Sequence, residues 1–154
     1  MADVHSNETR SRNMAAIRSG HTKPEMLVRS GLHARGFRFR LHDKKLPGRP
    51  DLVLPRYRAI IQVQGCYWHG HECAVGHSPA SRLEYWQPKI SRNKLRDADS
   101  LSKLNQLHWR VLIIWECALR GRRRRPFDDL MEDVATWIAG GLTNWELAGT
   151  GDEA

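Results

Sequence analysis

Apolar and polar positions along the chain mark out a helix, three strands, a longer helical stretch, a further strand and a last helix. Thr22-Lys23-Pro24-Glu25 has the form of a capping box with proline in the first turn. The helix it starts is expected to run to about Arg35 and stop at Gly36, with Met26, Leu27, Gly31 and Ala34 on its buried side. Phe37, Phe39 and Leu41 alternate with Arg38 and Arg40, the period of a half-buried strand. After the Leu46–Pro50 turn, Asp51–Leu54 predicts a second strand, ended by Pro55, and Arg58–Gln64 a third. Residues 79–107 predict a helix interrupted near Pro88, with Ile90, Leu95, Leu101 and Leu104 as its apolar side. Trp109–Trp115 is nearly all apolar, as in a strand covered on both faces. Phe127–Ala139 predicts a final helix with Leu130, Met131, Val134 and Trp137 inward; Trp109 and Trp115 also belong to the core. This order of elements predicts one α/β domain built on a mixed sheet.

Composition narrows the function. The 154 residues suit a single domain, and no apolar run is long enough to cross a bilayer. The N-terminus carries no apolar leader, so a cytoplasmic protein is expected, where thiols stay reduced and bind metals. The net charge of +8 favours an acidic partner, nucleic acid first. Its basic residues gather at Arg35, Arg38, Arg40, Lys44, Lys45 and Arg49, and again at Arg120 and Arg122–Arg125. The second group is dense enough to track phosphates.

All three cysteines enter one pattern. Cys66, His71 and Cys73 lie close together, and Cys117 follows the apolar strand. Thiolate and imidazole hold zinc tetrahedrally, and four protein ligands make the site structural rather than catalytic. His69 competes with His71 for the fourth position on spacing alone. If it is not a ligand, it is a candidate general base beside the zinc loop. Asp51 at a strand entrance, opposite Gln62 and Gln64, is a pattern by which nucleases hold Mg²⁺. Tyr67 and Trp68 on the zinc loop, with Tyr85 and Trp86 downstream, supply flat side chains able to wedge between base pairs.

Together, Leu46–Asp51, Gly65–His69, Arg82–Trp86 and Trp109–Cys117 resemble the very short patch repair (Vsr) family of DNA mismatch endonucleases, and the likeness runs from Thr9–Met14 to about Trp137. The resemblance implies a restriction-endonuclease-like core, a mixed β-sheet flanked by helices with a structural zinc. It implies a Mg²⁺-dependent nick 5′ of the thymine in T·G mismatches left by deaminated 5-methylcytosine. By position, Asp51 and the main-chain carbonyl of Val63 would bind Mg²⁺, His69 would be the base, and Glu25 and Asp97 would hold waters on the ion. Cys66, His71, Cys73 and Cys117 would bind Zn²⁺. Tyr67, Trp68 and Trp86 would form the wedge, Met14 would insert from the N-terminal arm, and Lys89 and Asn93 would lie near the mismatched pair. Gln64 stands where the family usually has histidine. A neutral amide can bond a phosphate oxygen but carries no imidazolium charge, so weaker stabilisation of developing charge is implied there.

The expected organisation is a DNA-contacting arm over residues 1–20, an endonuclease domain over 21–147 and a disordered tail over 148–154. The expected partner is double-stranded DNA carrying a T·G mismatch, met as a monomer at the nucleoid, with mismatch-repair proteins in cooperation and no membrane. Two rivals remain at this level: a zinc-stabilised DNA-binding module that does not cut, and a sequence-specific restriction-type nuclease.

Overall fold

The computed structural model describes residues 22–71, 73 and 83–151. Five strands form one sheet in the order β1 (Arg40–Leu41), β2 (Leu52–Leu54), β3 (Ala59–Gln64), β4 (Arg110–Trp115) and β5 (Trp145–Leu147). β1–β2 and β2–β3 are antiparallel, β3–β4 and β4–β5 parallel, so the sheet is mixed as expected. Helices α1 (Lys23–Ala34) and α4 (Phe127–Gly140) cover one face, where Val28, Leu32, Leu130, Met131, Val134 and Ile138 meet Leu52, Leu54, Ile61, Leu112 and Ile114. The long helix α2 (Leu83–Gln106) covers the other through Leu104, against Val53, Ile60 and Val111. The alternation of Leu52, Val53 and Leu54 between these two cores follows from the two-residue period of a strand. A short helix α3 (Glu116–Leu119) follows β4 directly.

The starts and stops follow local chemistry. Thr22 caps α1 by accepting the Glu25 N–H at 3.4 Å, worth about 1 kcal/mol. The reciprocal half of the expected capping box does not form, because the Glu25 carboxylate turns to His42 and Arg29. Arg110 opens β4 and sends its guanidinium to the carbonyls of Trp137, Ile138 and Gly141 at the end of α4, and to Tyr57, all within 3.0 Å. A cation there complements the negative pole of the helix.

Several expectations are corrected. Met26, Leu27 and Ala34 lie on the exposed side of α1, whose buried face is set by Glu25, Val28, Gly31 and Leu32. Leu95 is also exposed, while Leu104 alone of the proposed α2 stripe is fully buried. Phe37 and Phe39 pack against the core, but only Arg40–Leu41 pairs as a strand. α2 continues through Pro88 without a break, with the proline inside the helix; the four residues 79–82 lie outside the described residues. Residues 148–151 of the expected tail lie against the fold. Gly149 is buried, its N–H bonds Cys117 Sγ at 3.3 Å, and the Thr150 N–H bonds the Arg123 carbonyl at 2.7 Å. Residues 152–154 and the arm 1–20 are outside the described residues, so the position of Met14 is too. No described helix is long and apolar enough to cross a membrane.

Candidate active site and metal centres

The parallel register of β3 and β4 brings the distant cysteines together. Gln64 pairs with Trp115, so two residues further along each strand Cys66 comes beside Cys117. The Cys117 N–H points to Cys66 Sγ at 3.4 Å, and both side chains are buried. The loop after β3 then turns back, with the His71 N–H on the Cys66 carbonyl at 2.9 Å. His71 joins Cys66, Cys73 and Cys117, with all four donor atoms within 4.8 Å of one another. Cys117 Sγ lies 3.7 Å from His71 Nδ1, against about 3.6 Å expected between sulfur and nitrogen ligands of a tetrahedral zinc. The His71 ring stacks on Trp115 at 4.3 Å, so a tryptophan expected only in the core also orients this imidazole. Burial pushes the Cys66 thiol well up and the Cys117 thiol up to about 11. Thiols so placed ionise only with a cation present, which fits the donor set to a metal.

His69, the competing candidate, points elsewhere. Its Nδ1 is 2.6 Å from Asp97 Oδ2 on α2. An Nδ1–H donated to that carboxylate leaves Nε2 as the acceptor, the tautomer a general base requires. Gly70 makes this approach possible. Its φ is +67°, and a Cβ there would sit 2.7 Å from Lys94 Cδ and 2.9 Å from Ile90 Cγ2 of α2.

A second cluster forms at the same end of the sheet. The register that pairs Leu41 with Leu52 and Leu52 with Ile61 continues one step, placing His42 beside Asp51 and Asp51 beside Gln62. Accordingly the His42 N–H bonds the Asp51 carbonyl at 3.0 Å, and the Asp51 N–H bonds Gln62 Oε1 at 3.2 Å. The Val63 N–H bonds Asp51 Oδ2 at 2.8 Å. In a strand, N–H and C=O of one residue point to the same side, so the Val63 carbonyl is turned toward the Asp51 edge as well. Glu25, buried on α1, approaches His42 Nε2 with Oε1 at 3.0 Å, and His42 Nε2 is 3.8 Å from Asp51 Oδ1. Glu25, His42 and Asp51 can together hold a cation. His42 was absent from the sequence expectations. Its only sequence signal was a histidine next to a predicted strand, without a motif.

Burial pushes the Asp51 carboxyl up to about 6. The Val63 N–H draws it down, the Glu25 charge adds to the rise, and His42 and His69 oppose it. Unfolded, the group titrates near 3.8. Between these values the folded protein holds the extra proton, so this group's stabilising contribution is complete below about 4 and is lost as pH rises through about 6. A divalent cation requires the ionised form. Its affinity should therefore fall about tenfold per pH unit below pH 6 and level off above it, with a proton released on binding in the acid range. Calorimetry in buffers of different ionisation enthalpy measures this; pH-independent affinity from 5 to 7 would contradict it.

Gln64 is buried at the end of β3, on the sheet face that α2 covers. Beyond it the expected wedge residues meet. Tyr67, Trp68 and Trp86 lie in mutual edge-to-face contact, with centroids 5.2–5.7 Å apart. Lys89 Nζ lies over the rings of Tyr85 and Trp86 and donates to the Tyr85 hydroxyl, and Asn93 Nδ2 donates to the Trp68 carbonyl at 2.8 Å. The second basic group is partly spent internally: Arg120 bonds Glu116, Arg124 the Gly121 carbonyl and Arg125 the Ala148 carbonyl, and Arg122, Arg123 and Arg124 are exposed.

A mixed α/β domain with a cysteine–histidine group and a carboxylate–histidine group, each of which could hold a metal ion, and an aromatic group at one end of the sheet has equipment suited to acting on nucleic acid. The family model described as DNA mismatch endonuclease Vsr matches residues 2–75. The DNA mismatch endonuclease Vsr of Escherichia coli K12 is 48% identical over 140 residues, covering 91% of this chain and 90% of that protein. The type II nicking enzyme V.XorIIP of Xanthomonas oryzae pv. oryzae is 50% identical over 119 residues, 77% of this chain and 88% of that one. The type II nicking enzyme V.NmeAIP of Neisseria meningitidis is 40% identical over 122 residues, 79% and 87%. The chain belongs to the Vsr family of DNA mismatch endonucleases, the nucleases of very short patch repair.

Proposed function

We propose that this endonuclease nicks one strand 5′ of the thymine in a T·G mismatch, using Mg²⁺ at Asp51 and a structural Zn²⁺ at Cys66, His71, Cys73 and Cys117. The observation that carries it is that Asp51 before β2, Glu25 on α1, His69 on the loop after β3 and the aromatic group meet at one end of the sheet. The bound cation supplies a counter-charge to the scissile phosphate. Asp51 anchors it, and the edge-facing Val63 carbonyl offers a second oxygen. His69, oriented by Asp97, takes the proton of the attacking water at Nε2. Asp97 thus serves the base rather than a hydration shell, and Glu25 carries the remaining buried negative charge at the cation. The mixed sheet bearing carboxylates at one end supports a restriction-endonuclease-like core.

Tyr67, Trp68 and Trp86 enter the stack beside the mismatch, assisted by Met14 from the arm, with Lys89 and Asn93 near the pair. A mispaired step costs less to distort than a matched one, which contributes selectivity. One lesion on one strand needs one active site, so the protein acts as a monomer, with mismatch-repair proteins as later partners. The names of V.XorIIP and V.NmeAIP as nicking enzymes support single-strand cutting.

Strand-specific labelling of T·G and C·G duplexes, with and without Mg²⁺, tests the reading. A Mg²⁺-dependent nick 5′ of the mismatched thymine is expected. Double-strand cuts in matched DNA would instead favour a restriction-type nuclease, and binding without cutting a recognition module. Gln64→His should raise the single-turnover rate several-fold and add a limb to the pH profile near the imidazole pKa of about 6.5, because a charged donor then faces the phosphate. An unchanged rate and profile would remove Gln64 from the reaction.

A further inference from the structure

The cluster around Asp51 contains a nitrogen donor that the proposed reaction does not use. Imidazole His42 comes from the end of β1, where its backbone is left-handed at φ +44°. Histidine tolerates that region better than most residues but pays for it. The conformation is held by the His42 N–H bond to the Asp51 carbonyl, and it turns the ring inward to a half-buried position. Nε2 there stands 3.0 Å from Glu25 Oε1 and 3.8 Å from Asp51 Oδ1. Adjacent ligands of an octahedral ion at about 2.1 Å lie about 3 Å apart, so the Glu25–His42 pair already has the spacing of neighbouring ligands. Two carboxylates of low exposure face this nitrogen, and Arg29 at 3.3 Å from Glu25 Oε2 is the cation beside them. A divalent ion would offset the charge of the two carboxylates.

We propose that His42 Nε2 is a direct ligand of the catalytic cation, with Glu25 and Asp51, and that this donor makes the site favour Mn²⁺ over Mg²⁺. The inference rests on the cation at Asp51 proposed above. Mg²⁺ prefers an all-oxygen shell and keeps its waters, whereas imidazole suits transition metals. Cys66, His71, Cys73 and Cys117 do not compete, because thiolates favour the softer zinc.

Pulsed electron paramagnetic resonance on the zinc-loaded full chain with Mn²⁺ reads the ligand directly. The parent should show nitrogen coupling from a bound imidazole, with the coupling pattern changing when histidine is labelled with ¹⁵N. In His42→Gln the coupling should vanish. Loss of partners outside the ligand shell already costs about 10–100-fold in affinity. The ratio of Mn²⁺ to Mg²⁺ affinity should therefore drop by at least about tenfold in His42→Gln. If that variant does not fold, His42→Asn is read in the same way. Absence of nitrogen coupling in the parent, or its persistence in folded His42→Gln, overturns the proposal. In either case T·G nicking lost in Asp51→Ala would leave the endonuclease reading intact. Unchanged Mn²⁺ affinity in Asp51→Ala would overturn both.

Discussion

Asp51→Ala should lower the single-turnover nicking rate on a T·G duplex by about three orders of magnitude while leaving DNA affinity within a few-fold. A metal's electrostatic contribution to phosphoryl chemistry is several kcal/mol, and each 1.36 kcal/mol is tenfold in rate. Asp51 is the residue through which β1, β2 and β3 all contribute to the site: His42 donates to its carbonyl, its own N–H goes to Gln62, and its carboxylate receives Val63. Alanine removes the anchor and keeps the strand. Because burial disfavours the ionised carboxylate, the cation-free variant should be at least as stable as the parent at pH 7.5. Quench-flow nicking and thermal unfolding, measured together, separate lost chemistry from lost fold. A rate within tenfold of the parent would remove Asp51 from the mechanism.

Cys66→Ala should abolish stoichiometric zinc, lower the unfolding midpoint by roughly 10–15 °C and eliminate nicking. The fully buried Cys66 is linked to Cys117 through an N–H···S bond, and Cys117 in turn receives the Gly149 N–H. Structural zinc contributes about 10–16 kcal/mol in peptides that fold only around it. Here the sheet keeps its own hydrophobic core, so a loss of about 4 kcal/mol is the appropriate scale, at roughly 2–4 °C per kcal/mol for this chain length. Activity goes with it because the same loop carries Tyr67, Trp68 and His69. Metal analysis with calorimetry measures both effects; full stability without zinc would show the cluster to be incidental.

The grouping of the cysteine cluster was legible in the sequence because few residue types suit a metal such as zinc and three candidate ligands, Cys66, His71 and Cys73, fall on one loop. The choice between His69 and His71 was not, since both reach the same region. The turn at Gly70 and the Asp97 carboxylate separate them. Strand β4 and helix α4 were visible from period and length. β5 was missed: its three residues are short, Trp145 is exposed, and its pairing with β4 is set by tertiary register. His42 was hidden for a related reason. Its role arises from antiparallel pairing across two strands plus a positive φ, neither of which leaves a local pattern. Glu25 shows the opposite conflict, where a residue fit for a capping box is diverted to the site and leaves Thr22 to cap alone.

Anomalous diffraction from crystals grown with Zn²⁺ and soaked in Mn²⁺ would test the two-centre arrangement most directly, with data collected at both absorption edges. The account predicts a zinc peak enclosed by Cys66, His71, Cys73 and Cys117 and a separate manganese peak against the carboxylate of Asp51. A manganese peak elsewhere, or none within bonding distance of Asp51, would contradict it.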